Sequence, residues 1–193
     1  MDGLDEPAYS YLLGIYLGDG CISRHPRAYR LRIACADAYP EIMNEVQRAI
    51  ERTLSVKVGR VQNVGCTEVG AYSTHWPCYF PQHGAGMKHE RPIVLEPWQH
   101  EIVGRLPRPF LRGLIQSDGW RGDNVAIRTT DLAIEYRTYT RYQFSNRSGD
   151  IRGLFCWACD LLGIHWTQSN QWTISVARRK DVHYLDSFIG PKR

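Results

Sequence analysis

A nine-residue pattern that occurs twice is the feature of this sequence that most restricts its fold. LLGIYLGDG at 12–20 aligns without a gap with LRGLIQSDG at 111–119. Each copy is typical of a largely apolar helix that ends in Asp-Gly. Such self-similarity indicates repeated structural units rather than one irregular domain. The 193 residues are enough for two small units fused in one chain.

Similar secondary-structure signals follow both copies of the pattern. In the first half we predict a strand at 30–34, an amphipathic helix at 42–54, strands at 56–64 and 67–74, and a short helix between Pro77 and Pro81. In the second half we predict a strand at 139–144, a helix at 151–162, strands within 166–177 and a last helix at 181–189. For each half we predict the order helix, two strands, helix, two strands, helix.

These signals predict an α+β fold made of two pseudo-symmetric αββαββα repeats, each with an antiparallel sheet. The first repeat covers 1–84 and the second covers 108–193. Between them, 85–107 is a proline-rich linker with one helical segment near 98–105.

Composition restricts the class of protein more than it identifies a partner. The apolar stretches are too short to cross a bilayer, so we expect no membrane role. Acidic residues near the N-terminus, where a secretory signal would be basic, lead us to expect an intracellular, cytoplasmic protein with free thiols. The net charge of +4 is weak evidence for a nucleic-acid partner. Its distribution is more informative, because 21–34 contains four arginines and no acid.

A half zinc site is the first alternative that the cysteines suggest. Cys156 and Cys159 have the spacing of two zinc ligands. They lie inside the predicted helix at 151–162, however, where a buried free cysteine behaves as a small hydrophobic residue. We therefore favour packing over metal binding for this pair.

The repeated pattern places small residues and acids where they can act together. Gly14 and Gly18 lie four residues apart on one helix, as do Gly113 and Ser117 on the other, so the two backbones can approach closely. The helix ends then bring Asp19 beside Asp118. A helix C-terminus is partly negative and like charges repel, so this arrangement requires a cation.

A hard divalent ion such as Mg²⁺ would satisfy this requirement, because it takes carboxylate oxygens and keeps water and phosphate as further ligands. Metal-assisted hydrolysis of a phosphodiester is the chemistry that such a site supports. For a single copy, a helix end followed by a turn would explain Asp-Gly equally well. Two matched copies favour the functional interpretation.

The two nonamers resemble the motifs of the LAGLIDADG homing endonucleases, in the single-chain form with two motifs, and the resemblance covers nearly the whole chain. It implies a meganuclease, a metal-dependent hydrolase that cuts double-stranded DNA at a long asymmetric site and acts as a monomer. The sheets would form a DNA-binding saddle. Asp19 and Asp118, with the backbone carbonyls of Gly18 and Ser117, would bind Mg²⁺ or Mn²⁺, whereas Ca²⁺ would bind without supporting cleavage.

The sequence departs from the family pattern at several positions. Leu17 and Gln116 occupy the other acidic position of the motif, which matters only if that position is a ligand. Leu13 and Arg112 replace a small residue, and we expect both to face away from the helix pair.

Long polar side chains on the exposed sheet faces are the candidates for reading DNA, since arginine and glutamine can make bidentate contacts with base edges. They are Arg24, Arg27, Arg30, Arg32, Lys57, Arg60 and Gln62 in the first half, and Arg137, Arg141, Gln143, Gln168 and Gln171 in the second. The family also implies a basic residue near the scissile phosphate, before the last helix. Arg178 is our candidate, and the matching stretch 72–75 has no lysine or arginine.

Two other interpretations remain open at this point. The stretch 82–91 combines glycines with basic residues, but it lacks the strand and helix of a phosphate-binding loop, so we interpret it as a flexible connection that brushes DNA. For the whole chain, a non-cleaving DNA-binding transcriptional regulator or an RNA maturase of the same fold is the alternative. A regulator would have no reason to retain both acids.

Overall fold

The computed structural model describes residues 3–129, 134–190 and 192 of the chain. The first half contains α1 (Glu6–Asp19), β1 (Gly20–Arg24), β2 (Tyr29–Ala36), α2 (Pro40–Thr53), β3 (Val58–Asn63), β4 (Cys66–Ser73) and α3 (Trp76–Tyr79). A 3-10 turn at Lys88–Glu90 and α4 (Pro97–Arg105) follow. The second half contains α5 (Pro107–Asp118), β5 (Gly119–Thr129), β6 (Ile134–Ser145), α6 (Gly149–Leu161), β7 (Thr167–Asn170), β8 (Thr173–Val176) and α7 (Arg179–Asp186).

The two halves have the same sheet topology, which confirms the predicted α+β fold of two pseudo-symmetric repeats. Each sheet has four antiparallel strands, in the order β1-β2-β4-β3 in the first half and β5-β6-β8-β7 in the second. The β5–β6 hairpin, with strands of 11 and 12 residues, is longer than β1–β2, with 5 and 8. Within β6, strand β8 pairs only with residues 142–145, so the rest of the hairpin extends beyond β8.

Helix α1 is the centre of the molecule. Its residues from Ala8 to Leu17 are all buried, which explains why this helix is apolar on every side. It begins at a defined cap, because the Asp5 carboxylate accepts a hydrogen bond of 3.0 Å from the Ala8 amide and Pro7 lies in the first turn. Among the described residues, no helix is long and apolar enough to cross a membrane.

Glycines allow α1 and α5 to approach until their backbones touch. A Cβ atom on Gly14 would collide with the Phe110 carbonyl, and one on Gly113 would collide with the Tyr11 carbonyl and lie 2.6 Å from the Ile15 nitrogen. The small-residue spacing in the two motifs therefore forms the contact that the sequence predicted.

Two of the residues that depart from the motif, Arg112 and Gln116, bond to groups on other elements. The Arg112 guanidinium reaches Glu45 of α2 at 2.8 Å and the Phe188 carbonyl at 3.0 Å, while Leu13 is fully buried. The Gln116 amide accepts a 2.6 Å hydrogen bond from the Tyr11 hydroxyl and donates one to Glu45. At this position the chain thus has a polar contact with α1 and α2.

The linker is anchored to the first half by a buried polar network. Gln99 of α4 donates to the Tyr9 hydroxyl at 2.6 Å, and Gln82 donates to the Val94 carbonyl at 2.8 Å. Gln82 and Gln99 also bond to each other through their side-chain amides. The chain between the repeats is therefore held against α1 rather than looped away from it.

The cysteine pair lies where the helical pattern places it. Cys156 and Cys159 are both buried in α6, and both are free thiols. Burial raises the pKa of each thiol. Among the described residues there is no cluster of three or more histidine, cysteine or acidic side chains that could bind a metal, so this pair has no further zinc ligands there.

We predict that Gly113→Ala lowers the free energy of unfolding by about 1 to 3 kcal/mol, because the added methyl forces α1 away from α5. Gly153→Ala is the matched control, since Gly153 also lies within a helix but a Cβ there meets nothing within 4 Å. That variant should gain up to about 1 kcal/mol from helix propensity. Urea unfolding measures the stability of both variants and of the wild type. A Gly113→Ala variant as stable as the wild type would contradict the close contact between α1 and α5.

Candidate active site at the paired helix ends

Asp19 and Asp118 are the last residues of α1 and α5, and the glycine after each one explains why Asp-Gly is repeated. A Cβ on Gly20 would lie 2.6 Å from the Cα of Tyr16, and one on Gly119 would lie 2.6 Å from the Cα of Ile115. Only glycine lets the chain leave the helix and enter the next strand at once. Each acid is thereby held at a helix end, one residue before a sheet.

The two helix ends face each other crosswise. Asp118 lines a cavity of about 490 Å³ together with Tyr16, Leu17 and Gly18 of the other helix. Asp19 lines a smaller cavity of about 70 Å³ that also contains Ser117. Each cavity therefore combines an acid from one motif with the helix end of the other motif.

The environment of the acids disfavours their charged forms. Burial, followed by repulsion from Asp118, raises the pKa of Asp19 to about 6, although the residue as a whole is exposed. Burial also raises the pKa of Asp118, against an opposing hydrogen bond from Asn146 and the charges of Lys88 and Lys192. Burial is therefore the main reason why both carboxylates are held in an unfavourable charged form.

Two lysines neutralise the helix ends. The Lys88 ammonium donates hydrogen bonds to the carbonyls of Tyr16, Leu17 and Gly18, the last two at 3.0 Å. The Lys192 ammonium donates to the Ser117 carbonyl at 3.0 Å. Burial lowers the pKa of Lys88 to about 8 and also lowers that of Lys192, while the two aspartates oppose both shifts.

Asn146 and its neighbours complete the larger cavity. The Asn146 amide donates to the Asp118 carboxylate at 2.6 Å, and the Asn146 carbonyl accepts from Arg152 at 2.6 Å. Gly84, together with the linker residues 86–89 and Arg91, forms another wall of this cavity. The stretch interpreted as a flexible connection is thus part of the site.

The donor set at these ends fits a hard divalent ion. Each end offers one carboxylate and at least one backbone carbonyl. In each case a lysine ammonium group already donates a hydrogen bond to the carbonyl. Mg²⁺ accepts such oxygen ligands and completes its shell with water and substrate phosphate. A zinc site would instead need several histidine or cysteine ligands. Gly18 and Ser117, expected as carbonyl ligands, are among the groups that the lysines contact.

Solved structures with the same architecture exist, although no family model matches the sequence and no curated protein shows a significant match. The homing endonuclease I-DmoI in complex with DNA and Mn superposes with a TM-score of 0.58 at 15% identity, covering 97% of this chain and 98% of that one. The meganuclease I-AabMI bound to uncleaved DNA gives 0.57 at 13%, covering 93% and 82%. This chain has the LAGLIDADG fold. The N-terminal LAGLIDADG domain of DUF199/WhiA gives 0.57 at 16%, covering 97% and 84%.

In the first sheet of this LAGLIDADG fold, Arg30 and Arg32 share the face turned away from the helices. Both contact Glu68, at 3.0 and 3.5 Å. Lys57, just before β3, lines a depression on this face with Arg30 and Tyr72.

Arg60 and Gln62 do not join that face, which corrects the expectation from strand alternation. Arg60 is in register with Val69 and bonds to Asn44 and Gln47 of α2, at 2.6 and 3.1 Å. Gln62 is in register with Thr67 and bonds to Asp37 at 2.8 Å. The strand register points both side chains toward the helices.

Two further candidates lie outside the shared face of the first sheet. Arg24 is in register with Tyr29 and so lies on the opposite side of β1 from Ser23, while Arg27 is exposed in the turn between β1 and β2. Whether Arg27 reads DNA stays a prediction.

In the second sheet, alternation groups the β6 candidates correctly. Arg137, Arg141 and Gln143 lie on one face of β6, and the Arg141 Nε is buried without a hydrogen-bond partner among the described residues. Gln168 is in register with Ile174, on the other face, and Gln171 is exposed in the β7–β8 turn.

Lys88 and Lys192 are basic residues whose charges act on both acids, and the family resemblance did not predict them. Arg178 is the exposed residue that precedes α7, and its role near the scissile phosphate stays a prediction. Lys88 and Lys192, by contrast, contact the carbonyls at the two helix ends. Their signal in the sequence is a Gly-x-Lys tripeptide, 86–88 and 190–192, after the last helix of each half.

We predict that Asp19→Asn stabilises the metal-free protein at neutral pH. Because the pKa is raised in the folded state, the wild-type protein loses stability as pH rises from about 4, where the unfolded chain ionises, to about 6. The variant should therefore match wild type near pH 4 and exceed it by about 1 kcal/mol at pH 7, after allowing for solvent screening. The free energy of unfolding of both proteins, measured in EDTA from pH 4 to pH 7, tests this prediction. A variant less stable than wild type at pH 7 would contradict it.

Proposed function

We propose that this chain is a site-specific double-strand DNA endonuclease that hydrolyses phosphodiesters with divalent metal ions, which is the activity of a homing endonuclease or meganuclease. The observation that carries the proposal is the crosswise pairing at the helix ends. Each of the two motif acids shares a cavity with the carbonyl end of the other helix. A fold used only for binding DNA does not require this arrangement twice.

In this proposal, the chain supplies the ligands and the orientation. Asp118 and the Gly18 carbonyl would hold one ion, and Asp19 and the Ser117 carbonyl would hold the other. Bound metal would supply water activation and stabilisation of the leaving oxygen. Asn146 fixes the orientation of the Asp118 carboxylate through its 2.6 Å hydrogen bond. The carbonyl contacts of the Arg152 side chain fix the Asn146 segment in turn.

Mg²⁺ or Mn²⁺ is the proposed cofactor, with Ca²⁺ as a binding ion that does not support cleavage. The donor set of carboxylate and carbonyl oxygens supports this choice. The I-DmoI structures with the same fold contain DNA with Mn or with Ca, and one of an I-DmoI variant was determined with its target DNA in the presence of Mg.

We propose a long asymmetric duplex as the target and a monomer as the active form. One chain supplies both sheets, so their reading surfaces need not be identical. Arg30 and Arg32 lie in the first, whereas Arg141 and Gln143 lie in the second. Arginine tends to read guanine and glutamine tends to read adenine, so the two half-sites would differ.

A DNA-binding regulator that does not cleave is the second candidate. The N-terminal domain of DUF199/WhiA matches this chain with the same TM-score as I-AabMI, so the fold alone does not separate the two functions. The retained pair of acids favours cleavage. A cleavage assay on the two acids distinguishes the candidates directly.

We predict that Asp19→Asn and Asp118→Asn each abolish double-strand cleavage while DNA binding persists, because each substitution removes a metal ligand. The assay incubates a library of candidate duplexes with Mg²⁺ and sequences the cut ends. Asp160→Asn is the control, since the carboxylate of this exposed aspartate of α6 bonds to Trp166. Binding without cleavage by the wild-type chain would instead support the regulator. Cleavage at the parent rate by both variants would exclude these acids as ligands.

We predict that replacing Arg30 and Arg32 with alanine weakens DNA binding by about 1 to 3 kcal/mol for each of the two arginines that reads a base. The decrease of affinity with rising salt should also become less steep, because fewer counterions are released. Arg60→Ala is the matched control, since that arginine lies in the same sheet but bonds to α2. Equal reductions in affinity from Arg32→Ala and Arg60→Ala in fluorescence anisotropy titrations would place the DNA on a different surface.

A further inference from the structure

Lys88 and Lys192 are related by the same internal symmetry as the two motifs. Each follows the last helix of its half, α3 or α7, and each is the third residue of a Gly-x-Lys tripeptide. Gly86 and Gly190 both have a positive φ, 79° and 69°, which non-glycine residues rarely adopt. The backbone of each half therefore turns at an equivalent glycine, and a lysine then contacts the central helix of its own half.

The lysine contacts involve the oxygens that the proposed metal sites require. The last carbonyls of a helix have no partner within it and carry partial negative charge. Lys88 contacts three of them at the end of α1, including Gly18, and Lys192 contacts Ser117 at the end of α5. An ammonium at hydrogen-bond distance from Gly18 or Ser117 lies in the space that a coordinated cation would need.

Charge makes simultaneous occupancy unfavourable. The negative charges of the two carboxylates equal the positive charges of the two ammonium groups. The helix ends are therefore already neutralised without metal. A divalent ion beside an ammonium would add like-charge repulsion at a few ångströms, in a partly buried site where water screens poorly. The lysine side chain is long and flexible, and it can move its charge away while the backbone stays in place.

We propose that Lys88 and Lys192 are exchangeable counter-ions that occupy the helix ends in the metal-free protein and are displaced when a divalent ion binds. This inference rests on the proposed function, since it takes Asp19, Asp118 and the carbonyls of Gly18 and Ser117 as metal ligands. Lys88 makes three carbonyl contacts and Lys192 makes one. Displacement therefore costs more at the Gly18 end, which becomes the weaker of the two metal sites.

Calorimetric titration of the full chain with Ca²⁺ alone measures the competition without cleavage. Lys88→Met should tighten the weaker site roughly tenfold, and Lys192→Met should tighten the other site by less. Lys180→Met is the matched control, because this exposed lysine in α7 carries the same charge away from the helix ends. Its effect should stay below about twofold. A Lys88→Met affinity equal to or weaker than that of Lys180→Met would overturn the proposal.

Acylation of lysines in the wild-type chain, quantified by mass spectrometry, tests displacement itself and does not depend on a variant folding. Saturating Ca²⁺ should increase the labelling rate of Lys88 several-fold, whereas Lys180 in the same sample should not change. If Ca²⁺ binds and Lys88 labelling stays constant, exchange is overturned and the proposed metal site survives. If Ca²⁺ binds neither the wild type nor Lys88→Met, the metal sites and the exchange both fail.

Discussion

The close approach of α1 and α5 is the contact on which the rest of the structure depends. Because Gly14 and Gly113 lack side chains, the two helix backbones touch, and the strands that leave each helix after Asp-Gly are placed by that contact. The same contact joins the two repeats into one core and brings the acids to the ends of a shared seam. A wider helix separation would leave both sheets intact but would separate Asp118 from the carbonyl of Gly18.

This geometry costs stability at the position where the proposed chemistry takes place. Two partly buried carboxylates lie at two partly negative helix ends. Burial raises the pKa of both acids, and for Asp19 repulsion from Asp118 adds to this shift. Lys88 and Lys192 offset that cost in the metal-free protein. The proposed metal sites are thus preorganised for cations, and their carboxylate and carbonyl oxygens are the ligands that hard divalent ions prefer.

The two sheet faces show where the alternation of residues along a strand predicts the direction of a side chain and where it does not. Alternation placed Arg30 and Arg32 together correctly, because β2 has one buried face occupied by Leu31 and Ile33. No residue of β3 is buried, so its pattern does not show which of its two faces is turned toward the helices. A shift of one residue moves every side chain to the other face, and that is why Arg60 and Gln62 were assigned incorrectly.

The two-repeat architecture, the order of elements, the glycine seam and the pairing of Asp19 with Asp118 could all be predicted from the amino-acid sequence. They follow from periodicity, from helix-ending glycines and from small-residue spacing, all of which are local properties that a repeat makes visible twice. The folded chain was needed to find that each acid shares a cavity with the other helix end, that Asn146 holds Asp118, and that Lys88 and Lys192 return to the seam. Such contacts join residues far apart in sequence, and they depend on the path that the linker and the C-terminal segment take across the surface, which no local pattern specifies.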